Sequence, residues 1–199
     1  MQTLTVSVNI DIRAPREEVW SLIADIEKRV RLCPLWDVIG VESLTPGPLN
    51  VGSTFRLQTR QHRQISARTS RVVEFVPGRR IAHQRENALV ARTVWSVQDC
   101  ATGTRLMYEE TFELSDAQNR DTILQPAHQA VREWLAMLKL YLEWREARLT
   151  RAWRWLYDRW FLRMPTSQRR IVMTIVVMHA ISAIGFIAAA LVWGLALRH

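Results

Sequence analysis

Cysteine is scarce in this chain of 199 residues. Cys33 and Cys100 lie far apart, with no second Cys and no His at ligand spacing, so neither a zinc site nor a disulfide framework is expected. Both thiols read as reduced residues of a cytoplasmic domain. Lysine is nearly missing, with 2 Lys against 25 Arg, a bias from which no function follows. The opening residues, MQTLTVSVNIDIRAP, alternate and carry charge, so they lack the apolar stretch of a cleaved secretory signal. No recognisable catalytic set is present. His62 and His83 stand in strand segments near Arg60, Arg63 and Arg85, where solvated strand faces are expected rather than an acid–base pair. Glu109, Glu110 and Glu113 likewise read as an exposed face and not as a carboxylate dyad.

Charge is missing altogether from residues 171–197, IVMTIVVMHAISAIGFIAAALVWGLAL. A helix of that length reaches roughly 40 Å, more than the ~30 Å of bilayer hydrocarbon, so a single C-terminal membrane span is expected. The formal charge of +8 is unevenly spread. Residues 1–142 hold 18 Lys+Arg against 16 Asp+Glu, whereas residues 143–170 hold 8 Arg against 3 acids. The basicity is thus a collar beside the span, and the positive-inside rule puts the N-terminal domain in the cytoplasm. Within the collar, Trp144, Trp153, Trp155 and Trp160 stand among Arg148, Arg163, Arg169 and Arg170. Trp and Arg together suit the headgroup layer, so anionic lipid headgroups are the expected partner and nucleic acid is not. Inside the span, His179 is the one ionisable residue, with pigment or haem ligation, helix contact and an interfacial position all open. Gly185-x-x-x-Ala189 and Ala190-x-x-x-Gly194 are small-residue pairs that allow close helix approach.

Ahead of the collar, residues 3–12 alternate with Leu4, Val6, Val8, Ile10 and Ile12 in one phase, which predicts a half-buried strand. Pro15 opens a helix carrying Val19, Leu22, Ile23 and Ile26, and a second short helix runs to Cys33. Strands are predicted at 37–44, 53–61, 65–76, 79–87, 91–99 and 104–114, with Pro77-Gly78 and Thr102-Gly103 at two of the turns. From Asp121 the period becomes helical, through Val131, Leu135, Leu138 and Leu142 and then Leu149, Trp153, Leu156 and Trp160. The first half of this long helix should pack on the sheet and the second half should leave the domain, to end at Pro165. The organisation predicted is therefore a domain over 1–142, an Arg/Trp-rich amphipathic segment over 143–170 and a span over 171–197.

The order strand, two short helices, six strands and long helix is that of an α+β helix-grip fold. Residues 3–146 resemble the SRPBCC superfamily, the START-like and Bet v 1-like domains with their polyketide cyclase/dehydrase relatives. The likeness rests on VSVNIDIRAPREEVWSLIAD, the Trp36-Asp37 segment, GPLNVGSTFRL and RVVEFVPGRRIAHQRE. It implies a curved sheet around the long helix, commonly enclosing an apolar cavity, but no single catalytic triad maps onto this chain. Alternation nominates Trp95, Val97, Leu106, Tyr108 and Phe112 as inward, facing Trp134, Leu138 and Tyr141. Those positions define a pocket for a lipid, isoprenoid, polyketide or tetrapyrrole-like molecule, or else a core packed solid. Two functions stay open. The preferred one is a non-catalytic accessory subunit of a larger membrane complex, touching other membrane subunits, with a lipid or tetrapyrrole pigment as candidate cofactor. The alternative is a tethered binder of a hydrophobic small molecule, or a cyclase-like protein.

Overall fold

The computed structural model describes residues 2–61, 64–86, 92–114, 120–143 and 154–196. Seven strands form one antiparallel sheet: β1 (Gln2–Ile12), β2 (Asp37–Ser43), β3 (Thr54–Gln61), β4 (Gln64–Val76), β5 (Arg80–Arg85), β6 (Arg92–Cys100) and β7 (Gly103–Leu114). Their order across the sheet is β1-β7-β6-β5-β4-β3-β2, so consecutive strands pair from β2 to β7 and β1 closes against β7. The alternation in β1 has its predicted consequence: Leu4, Val6 and Ile12 are buried while Thr3, Thr5 and Ser7 are exposed. Register shifts between Val38 and Gly40 and between Val72 and Glu74 mark bulges, which bend and twist a sheet.

Strands β1 and β2 are opposite edges, so the chain between them must cross the concave face. It does so as α1 (Arg16–Ala24) and α2 (Ile26–Arg31). Pro15 takes the N-cap position of α1, and the Asp25 carboxylate accepts from the Lys28 N–H at 2.9 Å to start α2. The turn into β7 needs glycine: Gly103 has φ +137°, and a Cβ there would collide with the Ile12 carbonyl. The third helix, α3 (Arg120–Glu143), buries Val131, Trp134, Leu135, Leu138 and Leu142 at helical spacing. Lys139 donates from Nζ to the Asp11 carbonyl at 2.6 Å, and the Arg13 N–H donates to the Glu143 carboxylate at 2.9 Å, which pins α3 to the end of β1.

The continuation after α3 departs from expectation. Residues 154–161 do not leave the domain but pack back on it. A π-helical turn over Tyr157–Phe161 adds one residue to the helical repeat, and Tyr157, Phe161 and Leu162 enter the core while Trp160 is 60% exposed. The predicted stripe through Leu156 and Trp160 therefore shifts by one position at Trp160. The reason is tertiary: Asp158 finds Lys28 at 2.9 Å and accepts from the Tyr141 hydroxyl at 2.8 Å. Trp144, Arg148, Leu149 and Trp153 lie outside the described residues.

A final helix, α4 (Thr166–Ala196), starts five residues ahead of the expected span. Its stretch Thr166–Ala190 is long and apolar enough to cross a membrane, and its most apolar window is not buried against the domain. Its first turn is fastened to the domain. The Thr166 hydroxyl donates to the Trp36 carbonyl at 2.6 Å and the Ser167 hydroxyl to the Asp37 carboxylate at 3.0 Å. Arg169, expected among lipid headgroups, is instead 8% exposed. It donates to the carbonyls of Phe161, Arg31 and Met164 and to the Tyr157 hydroxyl. A guanidinium with five donors suits this role because it satisfies several loop carbonyls at once.

Candidate functional site

The sheet's concave face and the helices across it enclose an aromatic cluster. Trp95 is fully buried, with its ring centroid 4.7 Å from that of Tyr108 and 4.9 Å from that of Trp134, both edge to face. Trp36 closes the cluster at 5.2 Å from Trp134. Trp95, Tyr108 and Trp134, named from alternation, thus stand together. Leu106 and Leu138 are fully buried in the same core, Val97 is buried with them, and Phe112 packs at its margin. Tyr141 is buried but turns elsewhere, to Asp158, Lys28 and Arg154 beside the π turn.

What remains open among these rings is a small cavity of ≈ 50 Å³, lined by Arg29, Val30, Trp36, Phe55, His83, Tyr108 and Trp134, with Arg68, Arg85 and Glu110 also on its wall. Arg29 is the residue sequence reasoning missed. It sits on α2 at 1% exposure, with its guanidinium carbon 4.9 Å from the Trp95 ring centroid and Nη1 donating to the Ile23 carbonyl at 2.6 Å. Its Nε is buried with no hydrogen-bond partner among the described residues, as are His83 Nδ1 and Trp95 Nε1. Burial pulls the Arg29 guanidinium down to about 10, against the opposing influence of Tyr108 and Asp25, so it remains a cation at neutral pH. Burying an ion costs several kcal/mol, whereas a desolvated cation–π contact returns about 2 and a charged hydrogen bond about 1.5–3 kcal/mol. One contact of each kind leaves this cation weakly compensated for its depth.

Two expectations are corrected here. His83 does not lie on a solvated face: it points inward with Ile81, 5.5 Å from the Phe55 ring. Burial, and then Arg29 and Arg85, push its imidazole down to about 3, so it is neutral and a poor proton acceptor at neutral pH. Glu110 is also not fully exposed, since it accepts from the Tyr108 hydroxyl at 2.7 Å. Burial, reinforced by Glu110, raises the Tyr108 phenol well above its usual range and keeps it protonated. In both cases a signal was present: Glu110 shares its phase with Leu106 and Tyr108, His83 with Ile81. Arg29 likewise falls on the helix face of Ile26, Val30 and Cys33. His62 and Arg63 lie outside the described residues.

A second concavity, ≈ 260 Å³ and mainly apolar, opens at the base of the domain between Leu32, Pro34, Met137, Leu140 and the first turns of α4. Arg170 stands on its wall, exposed, and donates to the Pro34 carbonyl. Of the other residues nominated for an interface, Trp155 is 66% exposed and Arg163 is exposed. Further along α4, Gly185, Ala189 and Ala190 are exposed, Gly185 has open space where a side chain would stand, and Gly194 lies in the same helix. His179 Nδ1 lies 2.8 Å from the Ile175 carbonyl. A carbonyl only accepts, so Nδ1 donates in this bond and Nε2 takes no part in it. No cluster of three or more His, Cys, Asp and Glu that could hold a metal occurs among the described residues.

Residues 1–143 match the family described as polyketide cyclase / dehydrase and lipid transport. The chain belongs to this family. Membership suggests binding of a hydrophobic small molecule. Solved structures agree on the fold. Protein CV1439 from Chromobacterium violaceum is 20% identical, with 70% of this chain and 97% of that one covered and a TM-score of 0.55. TTHA0849 from Thermus thermophilus is 16% identical, with 72% and 100% covered and a TM-score of 0.58. DynU16, a putative protein in the dynemicin biosynthetic locus, is 15% identical, with 70% and 47% covered and a TM-score of 0.52. At these identities the likeness extends to the helix-grip fold alone. No curated protein matches the chain in sequence.

Proposed function

We propose that this family member is a membrane-anchored protein whose helix-grip domain binds an amphiphilic small molecule at the cytoplasmic surface of a bilayer. The observation that carries the reading is the join between domain and apolar helix. Arg169, Thr166 and Ser167 fasten the first turn of α4 to Trp36, Asp37 and Arg31, and Trp36 also borders the aromatic cavity. A flexible tether would only raise local concentration; this one would hold the domain at a fixed height and tilt above the lipid. The apolar concavity beside Arg170, at the point where α4 would enter the bilayer, would let an acyl chain lie against the domain with its headgroup near a cation. The Arg collar supports the cytoplasmic side by the positive-inside rule.

The second reading is the accessory subunit. It is favoured by the aromatic filling of the interior, which leaves only ≈ 50 Å³, and by the exposed apolar surface of α4, including the open face at Gly185. His179 Nε2, the ring nitrogen not engaged by the Ile175 carbonyl, would be available to a pigment in such a complex.

One experiment separates the two. The full chain is extracted from its native membrane in a mild detergent, and the particle is sized, its protein composition determined and its lipid extract analysed. A small species carrying a fixed amount of one lipophile supports the binding protein. A large particle of constant stoichiometry, with the lipophile absent, would replace that reading with the subunit, and an absorption band would bring His179 forward.

A further inference from the structure

The interior cavity is apolar in its rings and cationic in its polar atoms, and this combination identifies the part of a ligand that would enter it. Its wall carries Arg29, Arg68 and Arg85 against the single carboxylate of Glu110, and that carboxylate is already engaged by the Tyr108 hydroxyl. Among the described residues, Arg29 forms no ion pair, and its one hydrogen bond uses Nη1. The Nε edge of a guanidinium is the edge that receives a carboxylate side-on through two parallel N–H donors. Here that edge is buried and its Nε unpartnered. The volume suits a small head: ≈ 50 Å³ has room for about three waters or one planar three-atom group, and is too tight for a phosphodiester with its substituents. Half-buried Trp36 and Leu57 stand on the wall beside Phe55, where a hydrocarbon remainder would lie.

From this juxtaposition of a buried, unpaired Arg29, an unpartnered His83 Nδ1 and a cavity of carboxylate size, we propose that the pocket is an anion site for the carboxylate of an amphiphilic acid. Arg29 takes the carboxylate through its Nε edge, and His83, on the same wall, brings an unpartnered Nδ1 as the second polar group. Arg68 and Arg85 add long-range attraction. This deepens the reading of the domain as an amphiphile binder and rests on it.

The test uses the full chain in lipid nanodiscs, with octanoate and its uncharged isostere octanamide as probes, read by the fluorescence of the buried tryptophans and by the shift in thermal unfolding. Octanoate is expected to bind at least tenfold more tightly than octanamide, and Arg29→Met to erase the difference while leaving octanamide binding in place. Should Arg29→Met fail to fold, Arg85→Gln at the wall is expected to reduce the preference by a smaller factor. Equal binding of the two probes by the native chain, or an unchanged preference in Arg29→Met, overturns the anion site while leaving an amphiphile-binding domain intact. Binding of neither probe overturns both.

Discussion

At the scale of single residues, Trp95 and His83 make the sharpest demands. Trp95 touches Tyr108, Trp134 and the Arg29 guanidinium, so Trp95→Ala empties the centre of the core and is expected to cost about 3–5 kcal/mol, read from denaturant unfolding. His83 ties stability to pH. Its folded pKa, about 3, lies below the unfolded value near 6.5, so below pH 6.5 the unfolded chain binds the proton and the folded chain does not. Stability is therefore whole above pH 6.5 and declines as pH falls toward 3, by roughly 2 kcal/mol between 6.5 and 5. Thermal unfolding of His83→Gln across that interval should be flatter than that of the native chain; parallel curves would mean that His83 is protonated in the fold. The inward aromatics were legible from period-2 alternation. Arg29, His83 and Glu110 share the phase of inward neighbours, but their polarity argues for solvent wherever a strand or helix is considered alone, and it outweighed that signal. Only the helices laid across the concave face make those positions interior.

At the scale of elements, the fold's distinctive part is the return of residues 154–170 to the domain. One guanidinium does much of the fastening, since Arg169 donates to three carbonyls and a hydroxyl, among them the carbonyl of Arg31 far away in the chain. Arg169→Met leaves those acceptors unpaired in a buried place, and is expected to cost about 2–4 kcal/mol. It should also raise amide exchange and protease cleavage across the π turn. The adjacent, exposed Arg170→Met should do neither, and equal effects from the two would show that the clamp is not centred on Arg169. A second tie runs through Lys28. Burial alone would lower its pKa, but its bonds to Tyr141 and Asp158 outweigh burial and leave it raised. Asp158→Asn therefore removes the partner of a half-buried cation and should loosen the same segment, which the same exchange measurement reports. Helical periodicity predicted an amphipathic continuation of α3, and the sequence contains nothing local that announces a π turn. The extra residue is stabilised by what Tyr157 and Phe161 find on the domain.

At the scale of the whole molecule, the proposed architecture is a helix-grip domain seated on one membrane helix. If α4 spans a bilayer, the chain should stay in the pellet after alkaline carbonate washing. The double variant Ile181→Arg and Ile184→Arg, at two exposed positions, should move it to the supernatant or to aggregates, since each Arg near the middle of a span costs about 2.5–3.5 kcal/mol on insertion. Release of the native chain by carbonate would reassign α4 to a protein partner. The sequence by itself determined the succession of strands, the long helix and the uncharged terminal stretch, because those follow from hydrophobic period and turn chemistry, which act over a few neighbouring residues. The tertiary structure alone decided that a cation is buried against Trp95, that the interior is nearly filled, and that residues 154–170 fold back on the domain. Each of these depends on which distant segment supplies a ring, a carbonyl or a carboxylate, and on the cost of leaving a polar group without one.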